Sequence, residues 1–291
     1  EDVYAHDRCW SDVLQAADEP ILASGPGEKR LRRAFSRLLH LDDPSRLSAY
    51  QDWLAQAATP NLEALDKPQG RWLRMLLSVL GASIPEVSEG STNSAAQWVW
   101  QHPQVRLELV ELFALLAQRN QHLGCALSER LDVPLQVHAR YSRFEIQAAF
   151  GDVATAQDEH AHVKVPAWRE GVKFMQQERC DVFLITLNKT EKRFSPSTRY
   201  RDYAINRSLF HWESQSRTRA DSPTGQRYQL HRSQGTEVMV FVRMNAEDRA
   251  FHFLGPASYQ SHQSDMPMQI TWRLKHQLPG DLFLTYRAAA D

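Results

Sequence analysis

From Lys189 to Arg243 the chain carries eleven basic and five acidic side chains, a local charge of +6 inside a protein whose formal net charge is -1. Such segregation suits a face that meets phosphates, where each arginine adds affinity and salt dependence without reading sequence. Arg193, Arg199, Arg201, Arg207, Arg217 and Arg219 are the candidate phosphate contacts. Aromatics interleave with them at Phe194, Tyr200, Tyr203, Phe210 and Trp212. Tyr200, Tyr203 and Trp212 are candidates to stack on an exposed or flipped base, and Asp202 to accept from the amino group of cytosine. Each residue also has a plainer use. The arginines could form ion pairs on a solvated face. Phe210 and Trp212 flank His211 at strand spacing, so they share a face that a core could claim. Asp202 lies in the polar loop Ser195-Pro-Ser-Thr-Arg-Tyr-Arg-Asp-Tyr203 and could cap it as an Asx turn.

Other constellations offer less. No Walker A sequence, GxGxxG, HExxH or GxSxG is present. His160 and His162 stand two apart, so a strand would put both on one side, but nothing supplies an obvious third metal ligand. Glu178 and Asp181 precede a strand, with Lys189 and Glu191 after it. That arrangement could mimic a metal-dependent nuclease centre, at unconvincing spacing. His211 has no visible nucleophile beside it. The expectation is a chain with no catalytic site, metal or cofactor of its own.

These residues need elements to position them. Up to about residue 130 the pattern is helical. Leu31, Phe35, Leu38 and Leu39 recur at helical spacing after the break Ser24-Gly-Pro-Gly27. The turn Leu41-Asp-Asp-Pro-Ser45 starts a helix running to about Ala57. Trp72, Leu73, Leu76, Leu77 and Leu80 form a stripe, Ala95 to Trp100 another helix, and Val105, Leu109, Leu112, Phe113 and Leu116 the strongest stripe. This region has 17 acidic and 13 basic side chains, and reads as a bundle with a mechanical role. From Leu131 the pattern changes. Ser142-Arg-Phe-Glu145 is a capping box opening a helix over Arg143–Phe150, closed by Gly151. Strands are expected at His162–Val165, Val182–Leu187, Leu209–Glu213, Arg227–Leu230, Val238–Met244, Phe251–Leu254, Gln269–Leu274 and Leu282–Tyr286. The fold expected is α+β, with a helical region over 1–130 and a strand-rich domain over 131–291. The domain's mixed or antiparallel sheet is expected to curl, towards a barrel.

Composition sets the bounds. An apolar fraction of 42% in 291 residues supports a core without staples. Cys9, Cys125 and Cys180 lie far apart, which argues against structural zinc and a disulfide framework and suits a reducing, cytoplasmic compartment. No apolar run is long enough to span a membrane and no signal peptide is visible. The chain begins at Glu1 without a methionine, as a trimmed chain or a piece of a larger protein would.

Tyr141-Ser-Arg-Phe-Glu-Ile146, Thr186-Leu-Asn-Lys-Thr-Glu-Lys-Arg-Phe-Ser-Pro-Ser-Thr-Arg-Tyr-Arg-Asp-Tyr203, Leu209-Phe-His-Trp-Glu-Ser-Gln-Ser216, Phe253-Leu-Gly255, Met266-Pro-Met268 and Trp272 follow one another in an order that resembles a known family. It is the domain of unknown function at the C-terminus of bacterial superfamily II helicases, which often carry a phospholipase-D-like nuclease domain. The family includes ATP-dependent type IV restriction enzymes that cut DNA containing modified cytosine. The segment Arg37-Leu-Leu-His-Leu-Asp-Asp-Pro-Ser-Arg46 is similar to the helical stretch that follows the helicase core in such proteins. The resemblance implies a target-recognition domain for double-stranded DNA, likened to SRA-type domains that flip 5-methylcytosine or 5-hydroxymethylcytosine into an aromatic pocket. It also implies an antiviral restriction role and partner helicase and nuclease domains on the same polypeptide. Catalysis would then lie outside this chain. Two rivals stand beside that expectation: a regulatory module docking on helicase or nuclease domains, and a nuclease using Glu178, Asp181 and Lys189.

Overall fold

The computed structural model describes residues 2–5, 8–23, 25–119, 124–127, 133–150, 163, 168, 171–188 and 202–287. The chain divides into two compact units, Glu1–Ala167 and Trp168–Asp291.

The first unit is helical, with α1 (Asp2–Ala5), α2 (Trp10–Ala16), α3 (Glu28–Arg33), α4 (Pro44–Ala55), α5 (Lys67–Leu80), α6 (Pro85–Ser88), α7 (Thr92–Trp100) and α8 (Pro103–Arg119). Two-residue strands β1 (Cys125–Ala126) and β2 (Gln136–Val137) pair, and β3 (Arg140–Ser142) leads into α9 (Arg143–Phe150). The helix starts follow local chemistry. Asp43 caps α4 by accepting from the Ser45 and Arg46 amides, with Pro44 as the first helical residue. Asp66 and Gln69 form a reciprocal capping box on α5. The periodic apolar residues of α4, α5 and α8 meet in one core: Leu47, Leu54, Leu73, Leu76, Leu109 and Phe113 are buried, and Trp72 packs against it partly buried.

The Ser142–Glu145 capping box forms as its spacing predicts. The Ser142 amide donates to Glu145 Oε2 at 2.7 Å, and the Glu145 amide to Ser142 Oγ at 3.4 Å. Glu145 is also the centre of a buried charge cluster. Arg46 Nη1 donates to its Oε1 and His40 Nε2 to its Oε2, both at 2.6 Å. Arg46 lies over the Tyr141 ring at 4.7 Å, and Tyr141 donates to Asp43 Oδ2 at 3.1 Å. Arg140 donates to Asp42 through its amide and its Nε. Residues 136–145 are thus held to the start of α4 by charge-assisted hydrogen bonds, those around Glu145 and Arg46 away from water. Burial pushes the Glu145 carboxyl up, but His40, Arg46 and the Ser142 side chain outweigh it and bring it to about 2.

The second unit holds β4 (Val172–Met175), β5 (Cys180–Asn188), β6 (Tyr203–Ala204), β7 (Leu209–Glu213), α10 (Pro223–Leu230), β8 (Glu237–Asn245), β9 (Ala250–Gln263), β10 (Gln269–Leu274) and α11 (Gly280–Tyr286). The strands run in the order β4-β5-β8-β9-β10-β7-β6. Only β5 and β8 are parallel in that path; the other neighbours are antiparallel. The sheet is therefore mixed, as expected, but the expected curl into a barrel or SRA-like closure is wrong. The end strands β4 and β6 are not neighbours, and the sheet stays open. Two physical reasons stand out. Both end strands are short, and Arg287 bridges to Ala204 on β6. The apolar sheet face is also covered without rolling up: Tyr228 of α10 and Leu282 and Tyr286 of α11 pack on Phe183, Phe210, Trp212, Val240, Ile270 and Trp272.

Those covering helices are where the strand reading of Arg227–Leu230 and Leu282–Tyr286 fails. Ser222 accepts from the Gly225 amide at 3.1 Å and Pro223 opens α10, a helix-start signal that the short alternating run masks. In α11, buried Leu282 and Tyr286 stand four apart, which suits a helix face and an alternating strand equally. The strand Leu209–Glu213 and the strand Gln269–Leu274 appear with the predicted ends. The predicted strand His162–Val165 lies outside the described residues apart from Val163.

Candidate nucleic-acid interface

The two faces of the second unit's sheet differ in chemistry. Along β7, Phe210 and Trp212 are buried while Leu209, His211 and Glu213 are half-buried. Along β10, Ile270, Trp272 and Leu274 are buried, whereas Gln269 and Thr271 are half-buried and Arg273 is exposed. The register then builds rows across the solvated face. Tyr203 of β6 pairs with His211 of β7, His211 with Thr271 of β10, and Thr271 with Ser261 of β9. A second row joins Glu213, Gln269 and Gln263, with Gln269 Nε2 donating to Glu213 Oε1 at 3.2 Å. A third joins Leu209, Arg273 and Ser258. A register shift after Thr271 sets Gln260 between rows, where its Oε1 accepts from Arg273 Nε at 2.6 Å. The result is a polar platform, four strands wide, over a dry aromatic layer. That layer is tightly built: Phe183 and Trp212 stack at 4.2 Å, and Trp272 meets Tyr228 edge-on at 6.2 Å.

The candidates for a base pocket fall in different places. Trp212 is 4% exposed and belongs to the core layer. Tyr203 is half-buried on the opposite face, its ring 5.0 Å from the His211 ring at 33°. Tyr203 and Trp212 thus cannot line one pocket, because pairing with His211 fixes Tyr203 on the face that Trp212 leaves. Asp202 is 7% exposed, and its Oδ1 accepts from the Glu213 amide at 2.9 Å, which prolongs the β6–β7 pairing. Tyr200 lies outside the described residues.

The phosphate candidates also separate. Arg193, Arg199 and Arg201 lie outside the described residues. Arg207 is exposed in the β6–β7 turn, its Nε donating to the Leu278 carbonyl at 2.6 Å. Arg217 is exposed beyond the other end of β7, and Arg219 is there too, tied to Asp221 through Nε and Nη2 at 2.9 and 3.2 Å. Asp265 accepts from the Ala220 amide at that same end. Two cations the sequence reading missed, Arg273 and Lys275, are exposed at the Arg207 end. The signal for Arg273 was present in the alternation Gln269-Ile-Thr-Trp-Arg-Leu274, where every second residue is polar.

The nuclease candidate fares poorly on geometry. Asp181 is fully buried, and Arg227 takes both its oxygens, Nε to Oδ2 at 2.7 Å and Nη2 to Oδ1 at 2.9 Å. Arg227 also stacks over Phe174 at 4.3 Å. Burial pushes the Asp181 carboxyl up against the lowering by Arg227. No oxygen of Asp181 is left open to a metal. Among the described residues no group of three or more His, Cys, Asp or Glu could hold a metal ion. His160, His162 and Lys189 lie outside them. No helix among the described residues is long and apolar enough to cross a membrane.

An open mixed sheet, backed by two helices and carrying a polar platform, defines an α+β module. Residues 135–286, just over half of the chain, match the family model described as Domain of unknown function (DUF3427), and the chain belongs to that family. The family is linked to C-terminal regions of superfamily II helicases. No curated protein matches the chain. The motifs that carry the resemblance now have physical roles. Phe210, Trp212, Met268 and Trp272 are core. Gly255, at φ 88°, sits where the β8–β9 register shifts, a conformation that a side chain would strain.

Proposed function

We propose that the second unit is a DNA-contacting region of a helicase-linked protein, with no catalytic centre of its own. The observation that carries this reading is the solvated sheet face with Arg207, Arg273 and Lys275 gathered at one end. Phosphates would meet those cations, and the polar rows would lie beside the bases. Affinity should fall steeply as salt rises, because each phosphate contact releases counterions. The test is fluorescence anisotropy of the full chain with labelled DNA, single-stranded and duplex, at two salt concentrations. Salt-insensitive binding, or none, would sink the reading. Recognition of a modified cytosine within a restriction system is its finer form. Duplexes bearing cytosine, 5-methylcytosine and 5-hydroxymethylcytosine test it, and equal affinity for all three would remove it. Capture of a purified helicase core by a chain that ignores DNA would favour the docking role instead.

A further inference from the structure

Resting on that DNA reading, we propose that the solvated face of β6, β7, β10 and the end of β9 takes a single DNA strand in preference to a duplex. Width is the first reason. Four strands at roughly 4.8 Å spacing put the outer two about 14 Å apart. A duplex major groove is about 12 Å wide and admits a helix or a two-stranded ribbon. This face is too broad to enter it, so a duplex could touch only the rim.

The second reason is the aromatic pair. Tyr203 and His211 form a ring-on-ring contact at the β6 end of the row that continues through Thr271 to Ser261, on the face away from the core, and both stay half-buried. Neither ring contributes to the buried layer, which Phe210, Trp212, Ile270 and Trp272 fill. Rings held on the solvated face of a rigid sheet are stacking surfaces for unpaired bases, whatever their sequence. A paired base offers no free face to them.

The third reason is how charge is distributed around the rings. Arg207, Arg273 and Lys275 stand at one end of the face. At the other, exposed Arg217 stands with Glu213, and Asp221 and Asp265 offset Arg219, so that end has no surplus of positive charge. The sugar-phosphate backbone is therefore directed to the Arg207 end. From there its bases reach inward over Tyr203 and His211, towards Thr271, Ser261 and Gln269. These side chains can donate to or accept from any base edge, which fits sequence-tolerant binding.

The experiment compares the full chain with Tyr203→Ala and Tyr203→Phe, using a labelled oligonucleotide and its duplex, with 2-aminopurine placed in the strand. Wild-type chain should bind the single strand about tenfold more tightly than the duplex, and Tyr203→Ala should lose about tenfold on the single strand alone. Tyr203→Phe should retain the affinity, because stacking needs the ring and not the hydroxyl. The 2-aminopurine fluorescence should change with wild type and Tyr203→Phe and stay flat with Tyr203→Ala. Equal affinity for the two DNA forms, or a Tyr203→Ala chain that binds as wild type does, overturns this inference while leaving DNA binding intact. Binding of neither form overturns the DNA reading and this inference together. Unchanged thermal unfolding of Tyr203→Ala separates a lost ring from a lost fold.

Discussion

Two groups of arginines in this chain have opposite fates. In the first unit Arg46 is wholly buried, paired with Glu145 and stacked on Tyr141. In the second, Arg207, Arg217 and Arg273 stand exposed at the ends of a sheet face. The first unit is the acidic one by composition and the second carries the basic stretch. Yet the strongest ion pairing described in the first unit is internal, while Arg207, Arg217 and Arg273 in the second stay open to solvent even though Arg227 is paired with buried Asp181. The lesson is that a charge count assigns no partner. What decides is whether the fold brings a carboxylate to each arginine and removes water from the pair.

The contrast predicts its largest effect on stability. Removing one member of a buried pair leaves the other charge uncompensated, which costs about 3–5 kcal/mol. Glu145→Ala should therefore lower the urea-unfolding stability by that amount, while Arg217→Ala leaves the midpoint where it was. Similar small losses for both would mean that water reaches the Glu145 cluster and that the two groups do not differ in kind.

Acid offers a second, graded test of the same cluster. Glu145 titrates at about 2 in the folded chain, below its ordinary value of 4.5. A depressed carboxyl contributes stability that is full above the unfolded value and is lost as pH falls towards the folded one. The window is thus from about pH 5 down to about 2, and the contribution is on the order of 3 kcal/mol. Glu145→Gln should flatten that part of the stability profile. A wild-type profile that does not fall in this window would contradict the pairing.

Asp181 with Arg227 gives an intermediate case, buried on one side and partly open on the other. Asp181→Asn keeps the shape and removes the charge, so about 2 kcal/mol should be lost, the scale of a hydrogen bond to a charged group. A neutral or stabilising outcome is instructive too. It would show that burying the carboxylate costs as much as Arg227 returns, as the upward push on Asp181 already hints.

How much of this was written in the chain follows from the range of each signal. The Ser142–Glu145 capping box, the α4 start at Asp43-Pro44 and the strands β7 and β10 rest on residues within a few positions of one another. All of them appear. α10 and α11 were misread because segments of four or five residues fit both periods. The closure of the sheet was misjudged because strand order depends on contacts far apart in sequence, and nothing local says that two helices cover the apolar face. The site was half legible for the same reason. Alternation around His211 put Phe210 and Trp212 on one face and left their burial open. Only the β6–β7 register reveals that Tyr203 belongs with His211, and only the β7–β10 pairing brings Arg273 to the Arg207 end. Glu145 was read as a helix cap, since its partners Arg46 and His40 lie about a hundred residues away.

The smallest predicted effect is the most discriminating between a solvated face and a binding face. Arg273 and Arg219 are both exposed arginines within one unit, but Asp221 engages two nitrogens of Arg219, whereas among the described residues Arg273 is held through Nε by the neutral Gln260. Arg273 thus keeps its full charge available to a phosphate, and Arg219 does not. If the face binds DNA, Arg273→Ala should weaken binding about equally across sequences and reduce the slope of log affinity against log salt by about one. Arg219→Ala should change that slope by much less. Equal changes would mean that the Asp221 pair opens freely in solution, so that pairing within the second unit, unlike pairing around Glu145, does not reserve a charge.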